Sequence, residues 1–343
     1  VERFDVAGLS EVLIGRDVLD AASLLTDRPG RAAAALLTQP SVAELAERLG
    51  ANIRDTGVAA AVRVLPDGEA AKTMSVVEDV YRWLTSLEMA RGDTVIGVGG
   101  GALTDVAGFV AATYLRGMES VYVPTTLLGA VDAAIGGKTA VNLEAKNLVG
   151  AFHHPARVVI DADVLDLLPE GLRREGAAEA VKAGFIGDPE IVALYERDGL
   201  GADIELIVKR AVAVKAAIVT RDPNEKGERA LLNYGHTVGH AVEMAAGLSH
   251  GNAVAVGMAA AGRASTLTLG FADEERQRQV IAGLGLPVAA PQADKAGVLR
   301  LLALDKKRDT EGLRMVLLRA IGEPQVEHVG SATVGEALGA IGI

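Results

Sequence analysis

Three of the chain's six histidines fall between His236 and His250. His236 and His240 stand four residues apart, which places both on one face of a helix, and His250 follows a short loop. Upstream, the run Glu175-Gly176-Ala177-Ala178-Glu179-Ala180-Val181-Lys182 sets a carboxylate, Glu179, on an otherwise apolar helix, with Lys182 about one turn later. One glutamate and two histidines make an oxygen and nitrogen ligand set suited to catalytic zinc, with an open position left for substrate. A single histidine on an apolar helix is ordinarily a packed core residue. The clustering is what turns this set toward a metal.

A second group of residues has the chemistry of an anion cradle. Gly99-Gly100-Gly101 follows a strand-like run and precedes a helix carrying Asp105. Glycines there let the backbone approach a phosphate, and the helix start offers amides and a positive dipole end. A glycine run alone fits a tight turn equally well. Its neighbours favour the ligand: Asp67-Gly68-Glu69 with Lys72 at a strand-to-helix turn, Thr125-Thr126 after another strand, and Gly136-Gly137-Lys138 as a second glycine turn carrying a cation. Together they suit a dinucleotide with its pyrophosphate.

Cations form a third group: Arg116, Lys138, Lys146, Lys182, Lys215, Arg229 and the pair Lys306-Lys307. Most such charges merely face solvent. Lys182, Lys215 and Arg229, however, interrupt apolar helical stretches, and a protein of net charge −11 must focus positive charge locally to hold an anionic substrate. Glu225, in the polar loop 222–228, either faces solvent or orients Arg229 and a histidine.

These residues need a frame. Apolar runs at 32–37, 59–65, 94–98, 120–123 and 158–161 alternate with helical spacing, as at Thr73 to Leu87. That alternation predicts a Rossmann-like α/β domain with a mainly parallel sheet over residues 1–163. From about Leu165 the strand signals fade, and helices are expected at 175–185, 203–220, 230–246 and 252–267, giving an all-α domain over 164–343. The 343 residues are 50% apolar, enough for two cores, which excludes a disordered chain. The acidic balance and 3% aromatic content speak against nucleic acid as a partner. Without cysteine there is no disulfide or thiolate chemistry. No apolar run reaches the roughly 18 residues that span a bilayer, so no membrane partner is expected and the expected location is the cytoplasm.

The chain resembles the 3-dehydroquinate synthases of the sugar-phosphate cyclase superfamily. The resemblance runs from Pro66-Asp67-Gly68-Glu69 to Leu304-Asp305-Lys306-Lys307. It is carried most specifically by Pro124-Thr125-Thr126-Leu127-Leu128, the segment Val131 to Thr139, Lys146-Asn147-Leu148-Val149-Gly150-Ala151-Phe152 and Leu232-Asn233-Tyr234-Gly235-His236-Thr237. It implies an NAD domain, a helical domain and an active site between them. By matching position it implies NAD contacts from Asp67, Gly68, Glu69, Lys72, Gly100, Gly101, Asp105, Thr125, Thr126, Lys138 and Lys146, with Val164, Leu165 and Leu167 nearby. It implies a divalent ion, Zn2+ or alternatively Co2+, on Glu179, His236 and His250. Substrate and proton handling would fall to Asp132, Lys138, Asn147, Lys182, Lys215, Glu225, Arg229, Asn233, His240, Lys306 and Lys307. Arg116 would be lent to a neighbouring subunit, which implies a homodimer.

The implied reaction belongs to the shikimate route to aromatic amino acids. A small anionic sugar phosphate, 3-deoxy-D-arabino-heptulosonate 7-phosphate, is oxidised at C5 by NAD, which acidifies the C6 proton. Phosphate is eliminated, the ketone is reduced again, and ring opening with intramolecular aldol closure gives 3-dehydroquinate. Net redox is zero. His240 would shuttle the proton near the C5 hydroxyl. This chain differs from the usual family pattern at three points: a shorter 143–145 loop, Gln39 in place of an aspartate, and Asn252 in place of a glutamate. Rival readings are an amino-dehydroquinate or 2-epi-5-epi-valiolone type cyclase, and a metal-dependent polyol dehydrogenase of the same architecture, which would accumulate NADH.

Overall fold

The computed structural model describes residues 1–27, 31–306 and 312–343. They group into two compact units, Val1–Leu168 with Lys215–Asn224, and Pro169–Val214 with Glu225–Ile343. The sequence reading divides the chain near residue 163. The grouping divides it after Leu168 and counts 215–224 with the first unit, where the Thr220 hydroxyl accepts from the Ala7 N–H at 2.9 Å and Lys215 bonds Asp132.

The first unit holds strands β1 (Glu2–Val6), β2 (Ser10–Gly15), β3 (Ala33–Thr38), β4 (Ala59–Val64), β5 (Thr94–Gly99), β6 (Glu119–Pro124), β7 (Lys138–Val141), β8 (Val149–Phe152) and β9 (Arg157–Asp161). Its helices are α1 (Ala21–Leu24), α2 (Ala43–Asp55), α3 (Met74–Ser86), α4 (Gly101–Thr113) and α5 (Ala162–Asp166). Seven strands form one sheet in the order β1-β2-β9-β6-β5-β3-β4, parallel except for the β1–β2 pair, while β7 and β8 pair antiparallel apart from it. β5 is buried along its whole length, as a central parallel strand covered on both faces must be. Leu36, Ile96, Val98, Val121, Val123 and Val159 meet Leu49 and Ile53 of α2 in the core. From β4 the chain crosses back over β3 to form β5, so strand order reverses between β3 and β5. Ligands of open α/β sheets gather at the carboxyl ends beside such a reversal, and here those ends carry Thr38-Gln39 and Gly99-Gly100.

The second unit is built from α6 (Glu170–Gly187), α7 (Pro189–Asp198), the first part of α8 (Ile204–Arg221), α9 (His236–Ala246), α10 (His250–Leu269), α11 (Glu274–Gly283), α12 (Lys295–Lys306) and α13 (Ser331–Ala340). α10 is buried almost all round, a property of a helix at the centre of a bundle, and α6, α9, α11 and α13 pack against it. The expectation of an all-α unit needs one correction. β10 (Leu313–Ala320) and β11 (Glu323–Val329) form an antiparallel hairpin through Ile321-Gly322, with Gly322 at φ +88°. The near-continuous apolar run Met315 to Leu318 is buried on both sides, a pattern that period alone cannot tell from a helix. The helix expected over 230–246 is also interrupted. Gly235 at φ +80° separates a 3-10 turn, Glu228–Asn233, from α9. Among the described residues no helix is long and apolar enough to cross a membrane.

Candidate active site

α6, α9 and α10 converge on Glu179. This carboxylate is 1% exposed, and neither oxygen receives a hydrogen bond of good geometry. His236 Nε2 stands 3.4 Å and His250 Nε2 3.3 Å from Glu179 Oε1, while the Lys182 ammonium pairs with Oε2. A tetrahedral ion with bonds of about 2.0–2.1 Å spaces its ligand atoms about 3.3–3.4 Å apart. Both spacings fit, and a buried carboxylate with open lone pairs is the donor such an ion requires. The residues suit a divalent metal.

The local fold explains the convergence. Glu175, one turn before Glu179, accepts from the Ser249 hydroxyl and from the Gly251 N–H at 2.9 Å, so α6 fixes the start of the helix that carries His250. α9 and α10 are joined by three residues and touch backbone to backbone. A Cβ on Gly257 would lie 1.9 Å from the Gly235 carbonyl oxygen, and one on Gly235 would lie 2.6 Å from Met258 Cγ. Only glycine fits either position, and Gly235 also needs its positive φ. His240 brings its ring to 5.1 Å from that of His236 and 6.1 Å from that of His250, centroid to centroid.

The charges shape one another. Burial would raise the Glu179 carboxyl, but Lys182 first, then His236 and His250, hold it well below the usual carboxylate range. Burial, then the Lys182 ammonium, push the His236 imidazole down to about 3. Burial would also lower His250, but the carboxylates of Glu179 and Glu243 on its two nitrogens push it up to about 10. His240 keeps an exposed edge, yet partial desolvation and then the His250 ring lower it. Arg229, 1% exposed, is among the largest wholly buried side chains of the described residues, and Asn233 and Glu225 lie half-buried nearby in sequence, Glu225 at φ +54°. Lys307 lies outside the described residues, as does the side chain of Lys306.

In the first unit, Lys72 is the hub. Its ammonium donates to Asp105 Oδ2 and Asn147 Oδ1, each at 2.5 Å. Asn142 ties the same corner together, donating to Glu69 Oε2 at 2.9 Å and accepting from the Asn147 N–H at 2.9 Å. These bonds hold the shortened 143–145 loop and keep Asn147 at φ +57°. Gly100 and Gly101 open α4 with no side-chain cap, and Thr125 N–H donates to the Gly99 carbonyl at 2.9 Å. A Cβ on Gly101 would lie 2.9 Å from Ala133 Cβ. An uncapped helix start at a strand-order reversal suits a pyrophosphate. Gln39 donates to the Pro66 carbonyl at 3.1 Å, and Asp67, Gly68 and Glu69 are exposed there. Asp132, in a π-helical turn Gly129–Ala133, accepts from Lys215. Lys138, Lys146 and Arg116 are exposed, and Val164 is half-buried at the carboxyl end of β9. Leu165 is wholly buried, whereas Leu167 is 84% exposed.

Asp105 carries a testable charge balance. Burial pushes its carboxyl up to about 6 from 3.8, against the pull of Lys72. A folded value above the ordinary one means the protonated form is favoured by folding. The resulting stabilisation is therefore full below about pH 3.8 and is lost as pH rises through about 6. The Tm of the wild type relative to Asp105→Asn should decline across that window; a flat difference rejects this reading of Asp105.

Sequence reasoning missed three groups. Glu175 and Glu243 act only through folded contacts, and Gly257 signals nothing until α9 lies against α10. Glu243 alone had a readable trace, three residues after His240 and so on the same helical face.

A Rossmann-like sheet with an uncapped glycine turn, and a helical unit with a buried glutamate–histidine–histidine centre, define a two-unit enzyme class suited to a dinucleotide and a divalent ion. The 3-dehydroquinate synthase N-terminal profile matches residues 62–175 and the corresponding C-terminal profile matches residues 176–308. A 3-dehydroquinate synthase of Corynebacterium diphtheriae is 43% identical over 299 residues, 84% of this chain and 83% of that protein. The chain belongs to the 3-dehydroquinate synthase family. Among solved structures, the 2-epi-5-epi-valiolone synthase of Streptomyces hygroscopicus with NAD+ and Zn2+ bound is similar at TM-score 0.87 and 29% identity, covering 99% of this chain and 98% of its own. A 2-deoxy-scyllo-inosose synthase complexed with carbaglucose-6-phosphate, NAD+ and Co2+ is similar at TM-score 0.86 and 26% identity, covering 98% and 99%.

Proposed function

We propose that this protein converts 3-deoxy-D-arabino-heptulosonate 7-phosphate to 3-dehydroquinate and phosphate, with NAD and a divalent ion, Zn2+ or Co2+, as its cofactors. The observation that carries the reading is the Glu179, His236 and His250 set with its ligand spacing, beside Lys182 and His240, in a chain of this family. When bound, the ion supplies Lewis-acid polarisation of substrate hydroxyls and the dinucleotide supplies reversible hydride transfer.

The chain's own residues do the rest. Glu179, His236 and His250 hold the ion, and Lys182, pinned on Glu179, presents a fixed positive charge to substrate oxygens. His240, lowered from its ordinary value, is neutral near pH 7 and accepts a hydroxyl proton that it later returns. Lys138, Asn147, Lys215, Arg229, Asn233 and the Lys306-Lys307 pair bind phosphate and carboxylate, which orients the flexible sugar for steps that are effectively intramolecular. Asp132 steadies Lys215, and Glu225 is assigned to orient Arg229. Asp67, Gly68, Glu69, Lys72, Gly100, Gly101, Asp105, Thr125, Thr126 and Lys146, with Val164, Leu165 and Leu167, are assigned to the dinucleotide. Arg116, exposed on a turn where it and Leu115 both adopt positive φ, is the residue we assign to the phosphate of a neighbouring subunit in a homodimer. We place the reaction in the cytoplasm.

The test is phosphate release with sub-stoichiometric NAD, comparing the heptulosonate phosphate with sedoheptulose 7-phosphate, which lacks the carboxylate. Turnover of the first alone, lost on chelation and restored by zinc, is expected. Equal turnover of both sugars refutes the assignment of substrate.

A further inference from the structure

We propose that Glu243 is a positioning residue for the metal centre, holding His250 as the tautomer that offers Nε2 to the ion; this rests on the reading of Glu179, His236 and His250 as ligands. His250 is bracketed by two carboxylates. Its Nε2 faces Glu179 Oε1 at 3.3 Å, and its Nδ1 faces Glu243 Oε2 at 3.2 Å. An imidazole that coordinates through one nitrogen carries its hydrogen on the other, and an acceptor there fixes both the ring plane and the tautomer. Glu243 is that acceptor, with its side chain only 10% exposed and therefore little diluted by water.

The second histidine has a different support. His236 Nδ1 faces the backbone carbonyl oxygen of Tyr234 at 3.3 Å. A carboxylate makes its imidazole a stronger donor to a metal than a neutral carbonyl does, so the two histidines are unequal ligands and His250 is the one whose basicity depends on a side chain. α9 thus contributes twice, once through His236 as ligand and once, seven residues on, through Glu243 to a ligand on α10.

A competing use of the same atoms is a second ion. His240, Glu243 and His250 offer ligand atoms that all lie within 4.8 Å of one another. Occupying that set together with the first would require His250 to bind through both nitrogens after losing its ring hydrogen. Holding a hydrogen on Nδ1 against Glu243 avoids that cost.

The experiment measures zinc affinity by chelator competition and the visible d–d spectrum of the cobalt-substituted enzyme, for wild type, Glu243→Gln, Glu243→Ala and the outward-facing control Met244→Ala. Loss of a supporting group of this kind weakens metal binding by about 10- to 100-fold. Glu243→Ala should show such a loss with an altered cobalt spectrum. Glu243→Gln, which keeps an acceptor oxygen without the charge, should show a smaller loss, and Met244→Ala none. Wild-type affinity and an unchanged cobalt spectrum in folded Glu243→Ala overturn the proposal, as does a lowered Tm with both unchanged. Two ions per wild-type chain, with the second abolished by Glu243→Ala, also overturn it in favour of the second site. A wild-type protein that binds neither metal instead sinks the metal reading itself.

Discussion

Glu179→Gln should lose at least about a thousandfold in turnover and nearly all of its bound metal. The carboxylate is the one anionic member of the proposed ligand set, and both histidine nitrogens are spaced from its Oε1. Removing Lewis-acid stabilisation of roughly 4 kcal/mol corresponds to three powers of ten in rate. A second effect travels with it. Lys182 is 4% exposed and pairs with Glu179, so the amide breaks a buried ion pair. Breaking such a pair typically costs about 3–5 kcal/mol, which will lower Tm as well. The double variant Glu179→Gln with Lys182→Met separates the two consequences: Tm should recover while metal content and turnover stay lost. Metal content by elemental analysis that remains near one ion per chain in Glu179→Gln would remove Glu179 from the centre.

Gly257→Ala should be nearly as damaging without touching any reacting group. The added methyl would stand 1.9 Å from the Gly235 oxygen and 2.7 Å from the Gly239 N–H, backbone atoms that cannot swing aside as a side chain would. α9 and α10 must then separate, and His236 and His250 move apart with them. Overpacking against rigid backbone falls at the upper end of such substitutions, about 3 kcal/mol, or roughly 10 °C in Tm for a unit of this size. Thermal unfolding followed beside zinc titration checks it: both should fall together. Gly171→Ala, where an added Cβ meets nothing within 4 Å, is the control and should leave both unchanged.

The inner strands were legible because buried parallel strands read as nearly unbroken apolar runs, and β3, β5, β6 and β9 fall where those runs do, while the edge strand β4 was readable from its β-branched run and the Pro66-Asp67-Gly68 turn after it. The N-terminal hairpin of β1 and β2 was not, because three of the five residues of Glu2–Val6 are charged (Glu2, Arg3 and Asp5) and the strand is held by pairing rather than by its own burial. β10 was hidden by the same ambiguity in the opposite direction, its apolar run serving equally well for a helix. At the proposed metal centre, residue types alone indicated one glutamate and two of three histidines. Choosing His250 over His240 required the family resemblance, since the i, i+4 pair on α9 is the more obvious couple. Glu175 was invisible for a physical reason, since it works across helices from a polar stretch, and Glu243 showed only its place on the His240 face, because its partner lies on another helix. Gln39 is a case where structure adds a role, because its amide secures the Pro66–Gly68 turn whether or not it reaches a ribose.

The measurement that bears most directly on the reaction follows the hydrogen at C5. Heptulosonate phosphate deuterated there, turned over with NAD well below the substrate concentration, should yield dehydroquinate that keeps its deuterium, with many product molecules per NAD and no rise in absorbance from NADH. NADH that accumulates in step with product, or deuterium lost to solvent, would contradict a hydride that leaves and returns within one turnover.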